Sequence, residues 1–473
     1  MSDSSRRGFL RKGAQIGSLL GLGALGFESQ SAKAQDSLFI EPPPTINRGP
    51  IFKRVKPAAA LVKAHIPVLQ GATSTTETQF KILIEAHRVY EYRIFDPRNA
   101  TRWVAHPKAR HGVATSGALI DHLFVGALEP GREYELEILV DGRLIDRRIF
   151  STYGLRHFSG RPEGEPLRVA LISCMNDRYV NDQESMWAAV AKSQPELILF
   201  NGDCCYVDQR SDGTIEGMWS RHLTTRRMLD IFRWDRLVPI LATWDDHDTG
   251  ENDSNSSSPR LGPAGEYFSA MFGSDPVHGM QMSEGLSFSY DIGGMRFVLM
   301  DCRSGKTRTQ VYSQTDERWL QETLEDAPGP VWLVNGTQFF GGYLLGAESV
   351  EKTSQSQLAR IMAMGAGAGS KHGKKCPLIL MSGDVHFSEI MELERDLMGY
   401  RSYELTSSSI HSRTFPGQQF RSHNPRRLAS TSRYNFMAIE MSTSRANRVE
   451  FETVSMGAYE QEFFRLKTMV ERT

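Results

Sequence analysis

The chain has 473 residues, which at about 100–200 residues per domain implies two or three domains. Hydrophobic residues make up 40% and charged residues 23%, the mix of a core-forming globular protein, which excludes wholesale disorder. The 55 Lys and Arg against 56 Asp and Glu exclude the basic excess of a dedicated nucleic-acid binder, and no apolar run reaches the ~20 residues of a stable membrane span.

The N-terminus reads as an address. Ser5–Arg11 is S-R-R-G-F-L-R, paired arginines followed by Phe and Leu, and a Gly-rich, mildly apolar stretch runs from Ala14 to Phe27. Ala32-Lys33-Ala34 is a small-residue cleavage site. This succession predicts a twin-arginine signal over residues 1–34, the twin-arginine translocase as a partner during export, and a periplasmic or extracellular destination. Removing the signal takes away five basic and two acidic residues and leaves a net charge of −4, still without a nucleic-acid signature. The five cysteines (Cys174, Cys204, Cys205, Cys302 and Cys376) are odd in number with two adjacent, which does not suit a disulfide framework.

Residues 35–64 are Pro- and Ala-rich and read as a linker. From 65 to 152 the pattern is of short strands. Thr78–Ile84 alternates in part, Glu133–Ile138 alternates cleanly, and Asp141-Gly142 predicts a tight hairpin into Leu144–Phe150. Several strands in so short a span predict a small all-β sandwich domain with a structural role.

After a Gly/Pro-rich link, buried runs alternate with helical ones across residues 165–473. Strands are predicted at Leu167–Ser173, Leu197–Phe200, Val238–Thr243, Arg296–Met300, Val331–Val334 and Leu378–Met381. Helices are predicted around Glu184–Lys192, Asp316–Leu324 and Ser354–Met364, which makes this an α/β catalytic domain. Gly250–Ser258 and Gly365–Lys375 read as mobile loops.

The chemistry is carried by the residues just past each strand. Cys174 lies after the first; Gly202-Asp203-Cys204-Cys205-Tyr206 after the second; Asp245-Asp246-His247-Asp248 after the third; Gly383-Asp384-Val385-His386 after the last. Ligands in α/β folds sit at the carboxyl ends of strands. A thiol, a phenol, carboxylates and two imidazoles gathered there are metal-binding groups. A single such tip would be read as a turn or helix cap; four together point to a metal site.

The motifs G-D-x-x-Y (Gly202–Tyr206), W-D-D-H-D (Trp244–Asp248) and G-D-V-H (Gly383–His386) resemble the calcineurin-type metallophosphoesterases, and within them the alkaline phosphatase D (PhoD-like) group. Ser173-Cys174, Leu405–Ser408 and Tyr434-Asn435-Phe436 fit the same resemblance. It implies a four-layer α/β/β/α catalytic domain with a dinuclear or larger metal centre at one edge, and hydrolysis of phosphate esters. Carried over, Asp203 bridges two metals, and Cys174, Tyr206 and His386 complete the first site. Asp246 and Asp384 serve the second, and His247 stands beside the leaving-group oxygen. Thiolate with phenolate suits Fe³⁺, and an oxygen-rich second site suits Ca²⁺, with Zn²⁺ or Mn²⁺ as alternatives.

Some positions depart from the pattern. Asn335-Gly336-Thr337-Gln338 offers only neutral amides where relatives often place a ligand; Gln338 fits better than Asn335. Asp245 is a ligand or an outer acid, and Asp248 is expected to orient His247. Cys204 and Cys205 read as packing residues. Arg178, Arg210, Arg303, Arg413, Arg433 and His411 lie in loops that could face the site. The leading expectation is an exported phosphomonoesterase or phosphodiesterase. The alternatives are a phospholipid or wall-polymer phosphodiesterase on the same site, a non-catalytic surface binding protein, and an iron–thiolate redox protein.

Overall fold

The structure is a computed structural model that describes residues 66–473 except 114, 159–164, 180–182, 210, 342–347 and 418–423. The export signal, the linker and Arg210 therefore lie outside the described residues.

Residues 68–151 supply eight strands: β1 (Val68–Gln70), β2 (Thr78–Glu85), β3 (Tyr90–Asp96), β4 (Thr101–Ala105), β5 (Pro107–His111), β6 (Ala118–Val125), β7 (Glu133–Val140) and β8 (Arg143–Ser151). They form two four-stranded antiparallel sheets, in the orders β1-β2-β6-β5 and β4-β3-β7-β8. The alternation in β7 turns Tyr134, Leu136 and Ile138 into one cluster with Phe80, Ile82 and Ile84 of β2. Asp141 and Gly142 take φ of 49° and 79°, the left-handed pair a two-residue hairpin needs.

The remaining strands are β9 (Leu167–Ile172), β10 (Leu197–Asn201), β11 (Ile240–Thr243), β12 (Met280–Met282), β13 (Phe288–Ile292), β14 (Met295–Leu299), β15 (Val331–Val334), β16 (Leu378–Ser382), β17 (Ser388–Leu393), β18 (Ser402–Thr406), β19 (Arg427–Thr431), β20 (Phe436–Arg445), β21 (Arg448–Met456) and β22 (Glu462–Glu471). One sheet has six strands in the order β11-β10-β9-β20-β21-β22, the other eight in the order β12-β13-β14-β15-β16-β18-β17-β19. The α-helices of the described residues are α1 (Gln183–Lys192), α2 (Ile215–Met228), α3 (Asp246–Thr249), α4 (Leu261–Phe272), α5 (Gln314–Glu325), α6 (Val350–Thr353), α7 (Gln355–Ala366) and α8 (Arg395–Met398).

Strand alternation explains the layering. Leu167, Val169 and Leu171 of β9, with Leu199, Leu241 and Ile439, share a core with Phe297, Leu299 and Trp332 of the second sheet. The intervening residues Ala170, Ile172, Ile198 and Phe200 pack on Trp187 of α1 and Trp219 of α2. On the second sheet, Leu320 and Leu324 of α5 and Leu358 and Ile361 of α7 complete the first core. The result is a mixed α/β fold whose helices pack on both large sheets. Its parallel strands are β9, β10 and β11 in one sheet and β14, β15, β16 and β18 in the other, so three carboxyl ends are aligned in the first and four in the second.

The two segments expected to be mobile are fastened in the structure. In Gly250–Ser258, the Asp253 N–H donates to Asp246 at 2.7 Å, and buried Ser254 is hydrogen-bonded to Thr249. In Gly365–Lys375, the Gly369 N–H donates to the Leu324 carbonyl at 2.8 Å and α7 runs on to Ala366.

Lys81 of β2 is 4% exposed, with its ammonium 3.4 Å from the Ser269 carbonyl of α4. Burial pulls its pKa down to about 8, against the opposing pull of Asp275. The unfolded chain binds that proton more tightly, so the cost of Lys81 is fully present below about pH 8 and fades as pH rises toward the ordinary lysine value, 10.5. Lys81→Met is expected to raise stability at pH 7 by on the order of 1–3 kcal/mol. It should also remove the part of the gain between pH 8 and 10.5 that wild type shows in urea midpoints; an identical pH dependence in both proteins refutes the assignment.

Candidate metal centre

The strand ends meet because their loops are stitched to one another. The Cys174 N–H donates to the Gly202 carbonyl at 3.3 Å, Met175 to Asp203 at 2.9 Å, Gly202 to Thr243 at 3.1 Å and Gly383 to Gly336 at 2.8 Å. Glycine is required where loops touch. A Cβ on Gly202 would come within 2.7 Å of the Asp245 Cβ, and one on Gly383 within 2.6 Å of the Asn201 carbonyl oxygen. Four non-glycine residues here take left-handed backbone: Cys174 (57°), Asp203 (53°), Asp384 (71°) and His386 (58°). Such conformations cost energy and concentrate at functional sites, where the surroundings enforce them.

Cys174, Asp203, Tyr206 and His386 form one corner. The Cys174 thiol lies 3.5 Å from Asp203 Oδ2, and the Tyr206 hydroxyl lies 3.1 Å from the same oxygen and 3.2 Å from His386 Nε2. Ser408 braces this corner: its hydroxyl accepts the His386 N–H at 2.9 Å and lies 3.1 Å from the Cys174 sulfur. Ligand atoms of Cys174, Asp203 and His386 all fall within 4.8 Å of one another. The same holds for Asp203, Asp246 and His247, for Asp245, Asp246 and Asp384, and for Asp246, Asp253 and Glu348. Asp203 thus belongs to two groups and Asp246 to three.

The electrostatics are those of an anionic pocket short of cations. Burial pushes the Asp203 carboxyl well above the usual carboxylate range, with Asp246, Asp245 and Asp248 adding repulsion and His247 opposing them. Asp384 is raised by burial and by Asp245, Asp246 and Asp203. Burial likewise raises the Cys174 thiol and the Tyr206 phenol. Asp246 goes the other way: burial is outweighed by Arg303, His247 and two backbone N–H groups, which bring it down to about 2. His247 is raised to about 11, because Asp203, Asp208 and Asp246 together overcome its burial. Asp203 Oδ1 is buried without a hydrogen-bond donor among the described residues. That orphaned oxygen, set among a thiol, a phenol, an imidazole and further carboxylates, fits a bound cation.

Several expectations are corrected. Asp248 does not orient His247; its carboxylate accepts the N–H groups of Cys204 (3.1 Å), Cys205 (2.8 Å) and Asp245 (3.0 Å), tying two strand-end loops together. The group beside His247 is Asp208, whose Oδ2 lies 2.9 Å from Nδ1 in an ion pair, although the ring N–H is not aimed squarely at that oxygen. The His247 ring stacks on Tyr206 with centroids 4.1 Å apart. Gln338 is turned into a separate network, its amide nitrogen donating to Glu389 at 2.8 Å and Thr406 at 3.0 Å. Asn335 is likewise occupied, by Tyr312 at 2.9 Å and the Thr337 carbonyl at 2.6 Å. Arg303 does not face a phosphate: it is fully buried, bonded to Asp245 and Thr337, and paired with Glu348 at 2.8 Å. Asp245 is therefore held by a guanidinium while keeping its place beside Asp246 and Asp384.

The remaining candidates lie outside the cluster. Cys204 and Cys205 are buried free thiols in the packing beneath α2. His411 is buried against Trp187, its Nδ1 3.1 Å from the Asn176 carbonyl. Arg178, Arg413 and Arg433 are exposed. Sequence reasoning missed Asp208, Asp253 and Glu348. Asp208 could have been suspected as the next acid after Tyr206; Asp253 and Glu348 sit in loops with no distinguishing pattern.

No protein-family model and no curated protein sequence matches the chain. Among solved structures it is similar to one titled "Structure of PhoD", with a TM-score of 0.64 and 14% identity over 88% of this chain and 90% of that one. It is also similar to purple acid phosphatase PPD1 from yellow lupin (Lupinus luteus) seeds, with a TM-score of 0.58 and 12% identity over 87% of this chain and 75% of that one. At such identities the likeness establishes the fold, and the chain has the fold of these two metallophosphoesterases, as its strand-end motifs implied.

Proposed function

We propose that the protein is a metal-dependent phosphate-ester hydrolase, exported by the twin-arginine route to the periplasm or beyond. The observation that carries the reading is the convergence of Cys174, Asp203, Tyr206, Asp246, Asp384 and His386 from strand ends of both large sheets, with Asp203 shared between two ligand groups. Cys174, Tyr206 and His386 would hold a first cation, Asp246 and Asp384 a second, and Asp203 both. The thiol and phenol favour Fe³⁺ in the first position, and the all-carboxylate second position favours Ca²⁺. When bound, such a pair supplies neutralisation of the phosphoryl charge and a more acidic water.

The chain's own residues do the rest. The ligand loops, stitched backbone to backbone, fix the cluster in advance of substrate. His247, at 12% side-chain exposure, holds a proton between Asp203, Asp208 and the Tyr206 ring. It is placed to donate that proton to the departing alkoxide, with the Asp208 carboxylate 2.9 Å from its Nδ1 to favour the charged ring. The monoester and diester readings share this machinery, and activity on p-nitrophenyl phosphate against its bis-ester separates them.

Protein purified without chelator is expected to contain iron and calcium and to show the visible band of a ferric phenolate. Cys174→Ser and Tyr206→Phe should each lose iron and the band. Colourless, fully active protein carrying zinc or manganese overturns the metal assignment.

His247→Asn is expected to keep its metal while losing ~10²–10³-fold in turnover of alkyl phosphates and much less on p-nitrophenyl phosphate. Asp208→Asn should lose in the same direction by a smaller factor. Equal losses on both leaving groups remove His247 from the proton-donor role.

A further inference from the structure

The rim of the cluster carries a cation that the metal site does not use. The chain leaves β18 through a run of buried residues, Ser407 to Ser412. These are fastened to the loops that carry the ligands. Ser408 supports both His386 and Cys174, and His411 Nδ1 sits 3.1 Å from the Asn176 carbonyl. The run is also closed on itself: the Ser412 N–H donates to Ser409 Oγ at 3.1 Å, and that hydroxyl donates back to the Ser412 carbonyl at 3.2 Å. The next residues emerge from this fixed foot into solvent.

Phe415 emerges beside a ligand. Although 41% exposed, its ring lies nearly parallel to that of His386, with centroids 6.1 Å apart and planes 21° apart. The Arg413 guanidinium in turn packs on Phe415, 4.8 Å from the ring centroid. Arg413 has no carboxylate partner among the described residues, whereas the comparable guanidinium over Phe95, that of Arg102, is paired with Glu137. A guanidinium braced on an aromatic ring is oriented before binding, loses less freedom when it binds, and presents a fork that matches a carboxylate or phosphate.

The scissile phosphoryl group belongs at the carboxylate cluster, where the cations sit. Arg413 packs on Phe415 at the rim, beyond His386, rather than among those carboxylates. An anion bound by Arg413 is therefore a different anion, attached to the organic part of the ester. Resting on the hydrolase reading above, we propose that Arg413, held on Phe415 beside His386, is a specificity-determining residue for phosphate esters that carry a second anionic group away from the scissile bond.

The test uses the metal-loaded full chain with two probes, phenyl phosphate and 4-carboxyphenyl phosphate, and reads the ratio of their kcat/KM values. Arg413→Ala is expected to lower the preference for the carboxylated ester about tenfold, mainly through KM, and Arg413→Lys to restore part of it. Phe415→Leu should lower the ratio by a smaller factor, and added salt should shrink the wild-type preference. Arg102→Ala, which removes a ring-stacked arginine from β4, should leave the ratio unchanged. A ratio unmoved by Arg413→Ala, with both esters still hydrolysed, overturns this inference and leaves the hydrolase reading standing. Wild-type protein that hydrolyses neither ester overturns both.

Discussion

Buried negative charge is the constraint on which the centre depends. Asp203, Asp245, Asp246 and Asp248 are each no more than 3% exposed, and Asp384 joins them at the same edge. An isolated carboxylate in such surroundings either neutralises or finds a cation. The chain supplies few cations of its own. Arg303 is fully buried against Asp245, and His247, whose pKa is raised by Asp203, Asp208 and Asp246, stands beside them. The protein thus divides the task. Asp245 is answered by a guanidinium and Asp248 by three backbone N–H groups, while Asp203 is left with an unanswered oxygen. The residue left unsatisfied, Asp203, is shared between two ligand groups, so a cation bound there would answer its free oxygen.

Holding like charges together takes a rigid frame, and the frame is made of secondary-structure ends. Parallel strands in each large sheet bring their carboxyl ends to one edge, and hydrogen bonds between the loops carry the register past the last strand residue. Support also comes from below. Arg221 of α2 pairs with Asp177 at 2.7 Å, and Thr225 donates to the same carboxylate at 3.0 Å, which anchors the loop after β9 to a helix. Cys205 packs on Thr225 at 3.2 Å and so belongs to this underpinning, whereas the Cys204 sulfur meets the Thr243 carbonyl at the end of β11. The left-handed backbone at Cys174, Asp203, Asp384 and His386 falls within this stitched frame, the kind of surroundings that sustains such conformations.

How much of this is legible in the sequence depends on the kind of signal each part leaves. Buried parallel strands are short apolar runs bounded by polar residues, so β9, β10, β11, β15 and β16 are visible within a residue or two. The ligands at their ends are visible because a strand followed at once by Asp, Cys or His is unusual in several places together. Roles set by loop geometry leave no such mark. Asp248 and Asp208 are both acids near His247 in sequence or space, and nothing in their spacing says which one meets the imidazole. Arg303 reads as a surface arginine until the fold places it under Asp245. Gln338 comes after a strand like the true cluster members, yet its amide donates to Glu389 and Thr406. Position after a strand therefore identifies candidates, and only the hydrogen bonds of the folded chain decide among them.

The same separation explains how one edge can serve two demands. The groups that must not move, Cys174, Asp203, Tyr206 and His386, sit on stitched loops and are buried or nearly so. Arg413 and Phe415 lie just beyond them and are exposed. His386 belongs to both layers: its Nε2 faces Tyr206 inside, and its ring carries Phe415 outside. A substitution at Phe415 or Arg413 can alter what approaches the centre without unpacking it, whereas a substitution at Ser408 would disturb the Cys174 sulfur and the His386 backbone at once. The loop after β18 thus joins the two layers: its buried serine run braces Cys174 and His386, and its exposed end carries Arg413 and Phe415.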